Sequence, residues 1–376
     1  MRQNTGTLTK NNIILIAVNI ILVIALVICL NRSDAIKKTL RSQQAAPEWA
    51  GQSGERFAQV SAFLPQGASF NENSIRSMRE SIDRALLEAS LEATANRSLY
   101  VDAWSALGTA SVTGERGTAQ AQVIGVGGDF FLFHPLFIRD GSYIYPNDLM
   151  KDRVVLDEEL AWRLFGSVYL EGMQITINSV PYYIAGVVAR EKDFASSKAY
   201  TAGAGMFMSY EALSELQGRP AEITCYEIVM PDPITGFALK AFTDNFPYKD
   251  AIVENSDRYA PSKIVDRIKN FGERSMRMDG MIYPYWENAA RYTEDWLGLL
   301  LALTFLFAIF PAICSIKYGT KGLVFLLKLG FFAILKKIDK GHDRKAEEYR
   351  MEHLEEIVIP SVEEIIREVM EEREKT

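Results

Sequence analysis

Val154-Val155-Leu156-Asp157-Glu158-Glu159-Leu160-Ala161-Trp162-Arg163-Leu164-Phe165-Gly166 decides how this chain is read. The three aliphatics make a short buried strand. Asp157 stands where a helix N-cap belongs, and Glu158-Glu159 complement the positive end of the helix. Gly166 stops the helix, since glycine tolerates the left-handed conformation at a helix C-terminus. Further along, residues 174–177 and 181–188 pair as a hairpin around Asn178-Ser179. A strand over 204–208 then runs into a short helix from Ser209. Upstream, residues 57–63 read as a strand. Residues 74–93 read as a helix with Ile75, Met78, Ile82, Leu86, Leu87 and Leu91 on one face, capped by Asn73 or Ser74. Strands over 99–104 and 119–126 flank a turn at Thr113-Gly114-Glu115-Arg116-Gly117. Downstream come a strand (225–230), a helix (234–246), a strand (251–254) and a helix (259–276). The order predicts an α+β fold in which β-α-β units form a split lobe and a smaller β-rich lobe is inserted near residues 130–215.

This body lies between two apolar runs. Residues 13–30 carry no charge, and Asn19 is their one strongly polar residue. Eighteen helical residues rise ~27 Å, close to the thickness of a bilayer's hydrocarbon core. The run exceeds a signal-peptide core and lacks a small-residue cleavage site, so it reads as an uncleaved anchor. Residues 296–316 form a second uncharged run, opened by Trp296 and closed by Lys317, with Pro311 expected to kink it or mark its inner end. Residues 322–335 are apolar but short and hold Lys328, which suggests an interfacial or re-entrant helix. Arg2 and Lys10 precede the first span, and Lys317, Lys321, Lys328, Lys336, Lys337 and Lys340 follow the second. The positive-inside rule therefore places both ends in the cytoplasm. The expected organisation is a cytoplasmic N-terminus (1–12), a span (13–30), an extracytoplasmic domain (31–295) and a second span (296–316). A basic juxtamembrane or interfacial segment (317–340) and an acidic helical tail (341–376) follow.

Composition removes several function classes. Lys plus Arg number 41 against 48 Asp plus Glu, a net charge of −7, so the chain is not a nucleic-acid binder. Three cysteines and three histidines make neither a disulfide framework nor a metal cluster. His134 is the one histidine between the spans, which leaves no serine-histidine-acid arrangement for catalysis. No Gly-x-x-x-x-Gly-Lys-Ser/Thr loop is present, so the chain holds no ATPase site and no cofactor. Gly125-Val126-Gly127-Gly128 lacks the third glycine of a dinucleotide loop and reads as a tight turn or bulge. Gly125, Gly128, Gly141, Gly166 and Gly186 are read as structural turn glycines. The apolar stretch Phe130 to Phe137 reads as packing between lobes. Asn19 either hydrogen-bonds a neighbouring span or is a tolerated polar residue.

In the tail, Lys336, Lys337 and Lys340 favour anionic membrane lipid. Beyond them Met351, Leu354, Val358, Val362, Ile365 and Val369 recur at helical spacing among glutamates. This stripe is either a partner contact or one face of a solvated juxtamembrane helix.

The ordered motifs Val123-Ile124-Gly125-Val126-Gly127-Gly128-Asp129-Phe130-Phe131, Leu136-Phe137-Ile138-Arg139-Asp140-Gly141, the strand-helix unit at 154–166, Gly172-Met173-Gln174-Ile175 and Ala185-Gly186-Val187-Val188 carry a resemblance. The chain resembles the MacB/FtsX group of bacterial ABC-transporter permeases, through their MacB-like periplasmic core domain. The resemblance implies a porter-like β-α-β lobe with an inserted sabre-like lobe outside the plasma (inner) membrane of a bacterium. It also implies a separate cytoplasmic ABC ATPase that binds the ATP, a further permease subunit, and assembly as a homo- or hetero-dimer. Members of this group usually have four spans and this chain offers two, so it reads as a truncated, split or accessory subunit. The function implied is export or mechanotransmission; the alternative is a non-transporting anchored scaffold or sensor.

Overall fold

The computed structural model describes residues 10–91, 93, 98–199, 205–249, 251–269 and 283–354. Its elements begin with helix α1 (Lys10–Thr39), short helix α2 (Ala45–Ala50), strand β1 (Phe57–Phe63) and helix α3 (Glu72–Glu88). Strands β2 (Val101–Gly114) and β3 (Gly117–Gly128), one-turn helix α4 (Phe130–Phe133) and strand β4 (Phe137–Gly141) come next. Then follow β5 (Arg153–Asp157), α5 (Glu158–Leu164), β6 (Gln174–Ile177), β7 (Val180–Ala189), α6 (Ser196–Ala199), β8 (Gly205–Ser209) and α7 (Tyr210–Gln217). The chain closes with β9 (Ile223–Pro231), α8 (Phe237–Asn245), β10 (Ile252–Glu254), α9 (Pro261–Lys269) and α10 (Tyr285–Leu354). Contacts divide the chain into two units: residues 24–305, and residues 1–23 with 306–376.

In the first unit one ten-stranded sheet runs β10-β1-β9-β2-β3-β8-β5-β7-β4, with β6 bonded to β2 and β7. The inserted segment is therefore continuous with the surrounding lobe through the parallel β3–β8 pair and the β2–β6 pair. The long hairpin β2–β3 makes this join, because its two strands outrun the flanking β-α-β units. Both faces of the sheet are covered. On one, Ala58, Val60 and Ala62 meet Ile75, Met78 and Ile82 of α3 and Phe242 of α8. On the other, Phe57, Phe63 and Val101 pack with Phe130 and Phe133 of α4 and with Trp286 of α10. Alternate residues of a strand face opposite ways, so β1 and β9, buried on both sides, read as near-continuous apolar runs.

Several ends differ from the sequence reading. Helix α3 starts one turn earlier, because Asn71 and not Asn73 or Ser74 is the N-cap. The Asn71 carboxamide oxygen accepts from Asn73 N (3.0 Å) and Ser74 N (3.3 Å), and Ser74 Oγ accepts from Asn71 N, a capping box. It also ends at Glu88, short of residue 93. Ser90 turns left-handed (φ 58°) and Leu91 N donates to the Leu86 carbonyl, closing the last turn. Helix α1 continues past the apolar run to Thr39, and after it Leu40, Ala45 and Ala46 are buried. Helix α10 runs unbroken for 70 residues, through Pro311 and through the separate helix expected at 322–335. Helical residues Ile13–Thr39 and Tyr285–Gly319 are long and apolar enough to cross a membrane, each holding an 18-residue stretch whose mean hydropathy is 3.4 and 2.5 respectively. In the second unit the Asn19 carboxamide donates to the Leu15 carbonyl of its own helix (2.8 Å), so its polar group is satisfied locally.

Candidate functional site: a buried polar chain between the helices and the sheet

Strand β9 explains how the site arises. Tyr226, Ile228 and Met230 face one core, so Cys225, Glu227 and Val229 must face the other. That alternation buries the Glu227 carboxylate (3% exposed) among aromatic rings. A buried charge survives only when paired. Ser61 of β1, directly opposite on the antiparallel neighbour, donates its hydroxyl to Glu227 Oε1 (2.6 Å). His134, at the end of α4 and between the rings of Phe130 and Trp286, meets Glu227 Oε2 through Nε2.

The chain of bonds continues toward α10. Asn255, just after β10, donates Nδ2 to Ser61 Oγ (2.6 Å) and accepts from Arg258 Nη1 at its Oδ1 (3.2 Å). Arg258 is 1% exposed. Its Nη1 and Nη2 donate to the two oxygens of Glu287 (2.6 and 2.9 Å), and its Nε donates to Glu294 (2.6 Å). Glu287 and Glu294 lie seven residues apart, two turns along one face of α10. Arg291 adds a bond to Glu287 (2.7 Å) while its guanidinium sits 3.7 Å over the Tyr283 ring. Burial works against the Arg258 charge, but Glu287 and Glu294 outweigh it and hold the pKa well above its ordinary value. Arg258 therefore stays charged at every biological pH.

The first helix reaches the same strand. Gln59, two residues before Ser61 and on the same face of β1, donates Nε2 to the Ser42 carbonyl (2.8 Å) and accepts from Ala45 N (3.2 Å). Neighbouring positions of β1 thus receive the segment following α1 and the opening turns of α10. Strand β1 is a shared anchor for both.

The order of groups sets what this chemistry can do. Ser61 donates to Glu227, His134 meets the other oxygen of the same carboxylate, and Asn255 donates to the Ser61 oxygen, so the hydroxyl is held on both sides and His134 does not face it. Burial, with Glu227 and Glu287 as negative neighbours, raises the Cys225 thiol well above its ordinary pKa and keeps it protonated. Among the described residues no cluster of three His, Cys, Asp or Glu could hold a metal ion. What the arrangement does provide is stiffness: charged pairs inside a dry interface hold one geometry, and a sheared bond has no water to replace it.

Glu191 borders this network and supplies a pH test. Burial and the nearby Asp193 raise its pKa, with His134 and a hydrogen bond from Tyr285 opposing. A carboxyl whose folded pKa lies above its unfolded value destabilises the fold when ionised, and that penalty disappears as pH falls through the folded value. Asp129, Asp157 and Glu254 are shifted the same way, each chiefly by burial. The unfolding temperature is expected to rise as pH is lowered from 7 toward 5, and Glu191→Gln should flatten that rise. An unchanged slope in the variant, read by differential scanning fluorimetry, would remove Glu191 from the account.

The sequence-derived candidates fall in other places. Gly128, Gly141 and Gly166 have φ of 62°, 68° and 72°. Gly125 and Gly186 are not turn residues: both lie inside strands, where a side chain is excluded by neighbours. A Cβ on Gly125 would sit 2.6 Å from Leu213, and one on Gly186, which pairs with Gly141, would sit 2.4 Å from the Ser142 carbonyl. Asp157 caps α5 by accepting from Leu160 N (2.7 Å) and also binds Gly205 N and Arg190. Of the Phe130–Phe137 stretch, Phe130 and Phe133 are core, while Phe137 is exposed on β4. Met351 and Leu354 lie in the last turns of α10. Val358, Val362, Ile365 and Val369 lie outside the described residues.

The sequence reading missed Glu227, Ser61, Asn255, Arg258, Glu287 and Glu294. One signal was available: an acid at the centre of the apolar strand 225–230. Arg258 gave none, because its partners stand 29 and 36 positions away.

Comparison with known proteins gives the chain its context. No curated protein matches it. Solved structures similar to it include the periplasmic region of MacB from Actinobacillus actinomycetemcomitans, 16% identical, with a TM-score of 0.40 over 58% of this chain and 94% of that one. The extracellular domain of the noncanonic ABC-type transporter YknZ from Gram-positive bacteria is 16% identical, with a TM-score of 0.35 over 53% and 99%. A domain of a putative permease protein from Porphyromonas gingivalis is 13% identical, with a TM-score of 0.30 over 53% and 88%. The family model described as the MacB-like periplasmic core domain matches residues 12–240, well over half of the chain, and the chain belongs to that family, which is of ABC-transporter permease type.

Proposed function

We propose that the chain is a membrane-anchored, permease-like subunit of an ABC-type export or mechanotransmission complex. A separate cytoplasmic ATPase hydrolyses ATP, and the subunit carries the resulting motion to an extracytoplasmic domain. Both termini lie in the cytoplasm, the basic segment after the second span rests on anionic lipid, and a second permease chain completes a homo- or hetero-dimer. The supporting observation is the buried chain from Glu287 and Glu294 through Arg258, Asn255 and Ser61 to Glu227. It joins a helix apolar enough to cross a membrane to the central sheet without a flexible link. A helix displaced along its axis would pull β1 and β10 with it.

The test is a mild-detergent isolation of the tagged full chain from native membranes, with mass spectrometry of what accompanies it. An ATPase that co-purifies, and is lost on deletion of residues 341–376, is the expected result. Good recovery of the chain without an ATPase would overturn the reading and favour an anchored scaffold or sensor.

A further inference from the structure

Parallel strands β3 and β8 end side by side, and each turns into a helix there, α4 after Gly128 and α7 after Ser209. Crevices outside the carboxyl ends of parallel strands are where open sheets bind ligands, because the chain diverges and leaves backbone uncovered. This crevice is a cleft of about 570 Å³, walled on its far side by the loop leading from Tyr143 to β5. Its size falls within the range of small-molecule sites, roughly 300–1,000 Å³.

Two glycines in the floor make room for close neighbours. The Trp104 ring lies across Gly127, where a Cβ would come within 2.1 Å of the indole, and Gly128 turns away with φ 62°. Phe131 and Tyr143 stack as one aromatic wall, with centroids 4.2 Å apart and planes 5° from parallel. Most of the charged groups in the cleft are already engaged. Arg79 forms a bidentate pair with Asp102 (2.7 and 2.8 Å), Lys151 stands 3.9 Å from Glu211, and Asp148 accepts from Tyr145 N (2.9 Å). Two are left: among the described residues, the side chains of Asp129 and Arg153 make no hydrogen bond or ion pair. They carry opposite charges and line the same aromatic cleft.

We propose that this cleft binds a small zwitterion bearing an aromatic side group, an aromatic amino acid or a short peptide, with its ammonium on Asp129 and its carboxylate on Arg153. Asp129 is exposed at the cleft, where desolvation by the surrounding groups and then the neighbouring Asp102 raise its pKa, so a ligand cation there offsets both. The guanidinium of Arg153 can take the carboxylate by two parallel bonds. The aromatic side group lies on the Phe131–Tyr143 wall. This assignment is independent of the permease reading above.

Isothermal calorimetry on the full chain in detergent tests it, with L-phenylalanine and phenylalanyl-phenylalanine as probes. Either probe is expected to bind with a Kd below about 1 mM; the tighter one identifies free amino acid or peptide as the source. N-acetylation or C-terminal amidation of that probe should weaken binding roughly tenfold or more, as loss of a charge-assisted bond does. Asp129→Asn should abolish the effect of acetylation, and Arg153→Gln that of amidation. No heat from either probe at millimolar concentration, or equal affinity for the blocked forms, would overturn the proposal whether or not the variants fold.

Discussion

Replacing Arg258 with methionine is expected to lower the unfolding temperature of the outer domain by roughly 10 °C. Arg258 donates to both Glu287 and Glu294, and both acids are almost fully buried. Removing it takes a charged partner from each of two buried carboxylates, although Arg291 still bonds Glu287 and Arg267 stands 3.8 Å from Glu294. Breaking one partner of a buried ion pair costs about 3–5 kcal/mol, because the remaining charge keeps its desolvation penalty without its compensation. The same reasoning makes the reverse case informative. Substituting all three, with Arg258→Met, Glu287→Met and Glu294→Leu, removes these three charges together and should recover part of the loss, Arg291 giving up its bond to Glu287. Thermal unfolding of purified protein reads both. A single variant as stable as the parent would show that the network contributes nothing. A triple variant worse than the single would show that its value lies in packing and not in charge compensation.

Gly141→Ala is the second large effect, and Gly172→Ala is its control. Both glycines are left-handed, with φ of 68° and 80°. A methyl group at Gly172 meets nothing within 4 Å, so it costs the conformational strain alone, about 1 kcal/mol. At Gly141 the added Cβ would stand 2.1 Å from the Ala185 carbonyl and 2.9 Å from the Gly186 Cα. Both obstacles are backbone of the paired strand β7, which cannot rotate aside. Strain and overpacking together should cost about 3 kcal/mol or more. Urea unfolding of the two variants separates the contributions. Equal stabilities would mean that β4 shifts freely and that the bulge at Ile138/Asp140 is not a fixed feature.

What the sequence disclosed, and what it withheld, follows from the distance over which each feature is determined. Strand β1 was readable to the residue because Phe57–Phe63 is set by local composition. The β6–β7 hairpin was readable because Asn178 and Ser179 accept left-handed backbone, at φ of 51° and 69°. The strand-helix unit at 153–164 was readable because Asp157 caps its own helix. Continuity of the sheet was not readable, since β3 pairs with β8 some 80 residues later and nothing local specifies that partner. Gly128, Gly141 and Gly166, expected as turn glycines, have left-handed backbones. Gly125 and Gly186 do not, and the demand there is space for a neighbour. The polar network was hidden for the same reason. Ser61, Asn255 and Arg258 are ordinary surface residue types, and only the tertiary fold buries them. Glu227 alone stood out, as a charge within an apolar strand.

Arg258 joins the opening turns of α10 to the sheet through Asn255 and Ser61. Hydrogen exchange of the full chain, compared between the parent and Arg258→Met under native conditions, tests it most directly. Segments that open as one cooperative unit lose protection together. Arg258→Met is expected to lower protection in the first turns of α10 and, to the same extent, in β1 and β10, while β5 and β7 are unchanged. Loss of protection in α10 alone, with β1 and β10 as slow to exchange as in the parent, would contradict it.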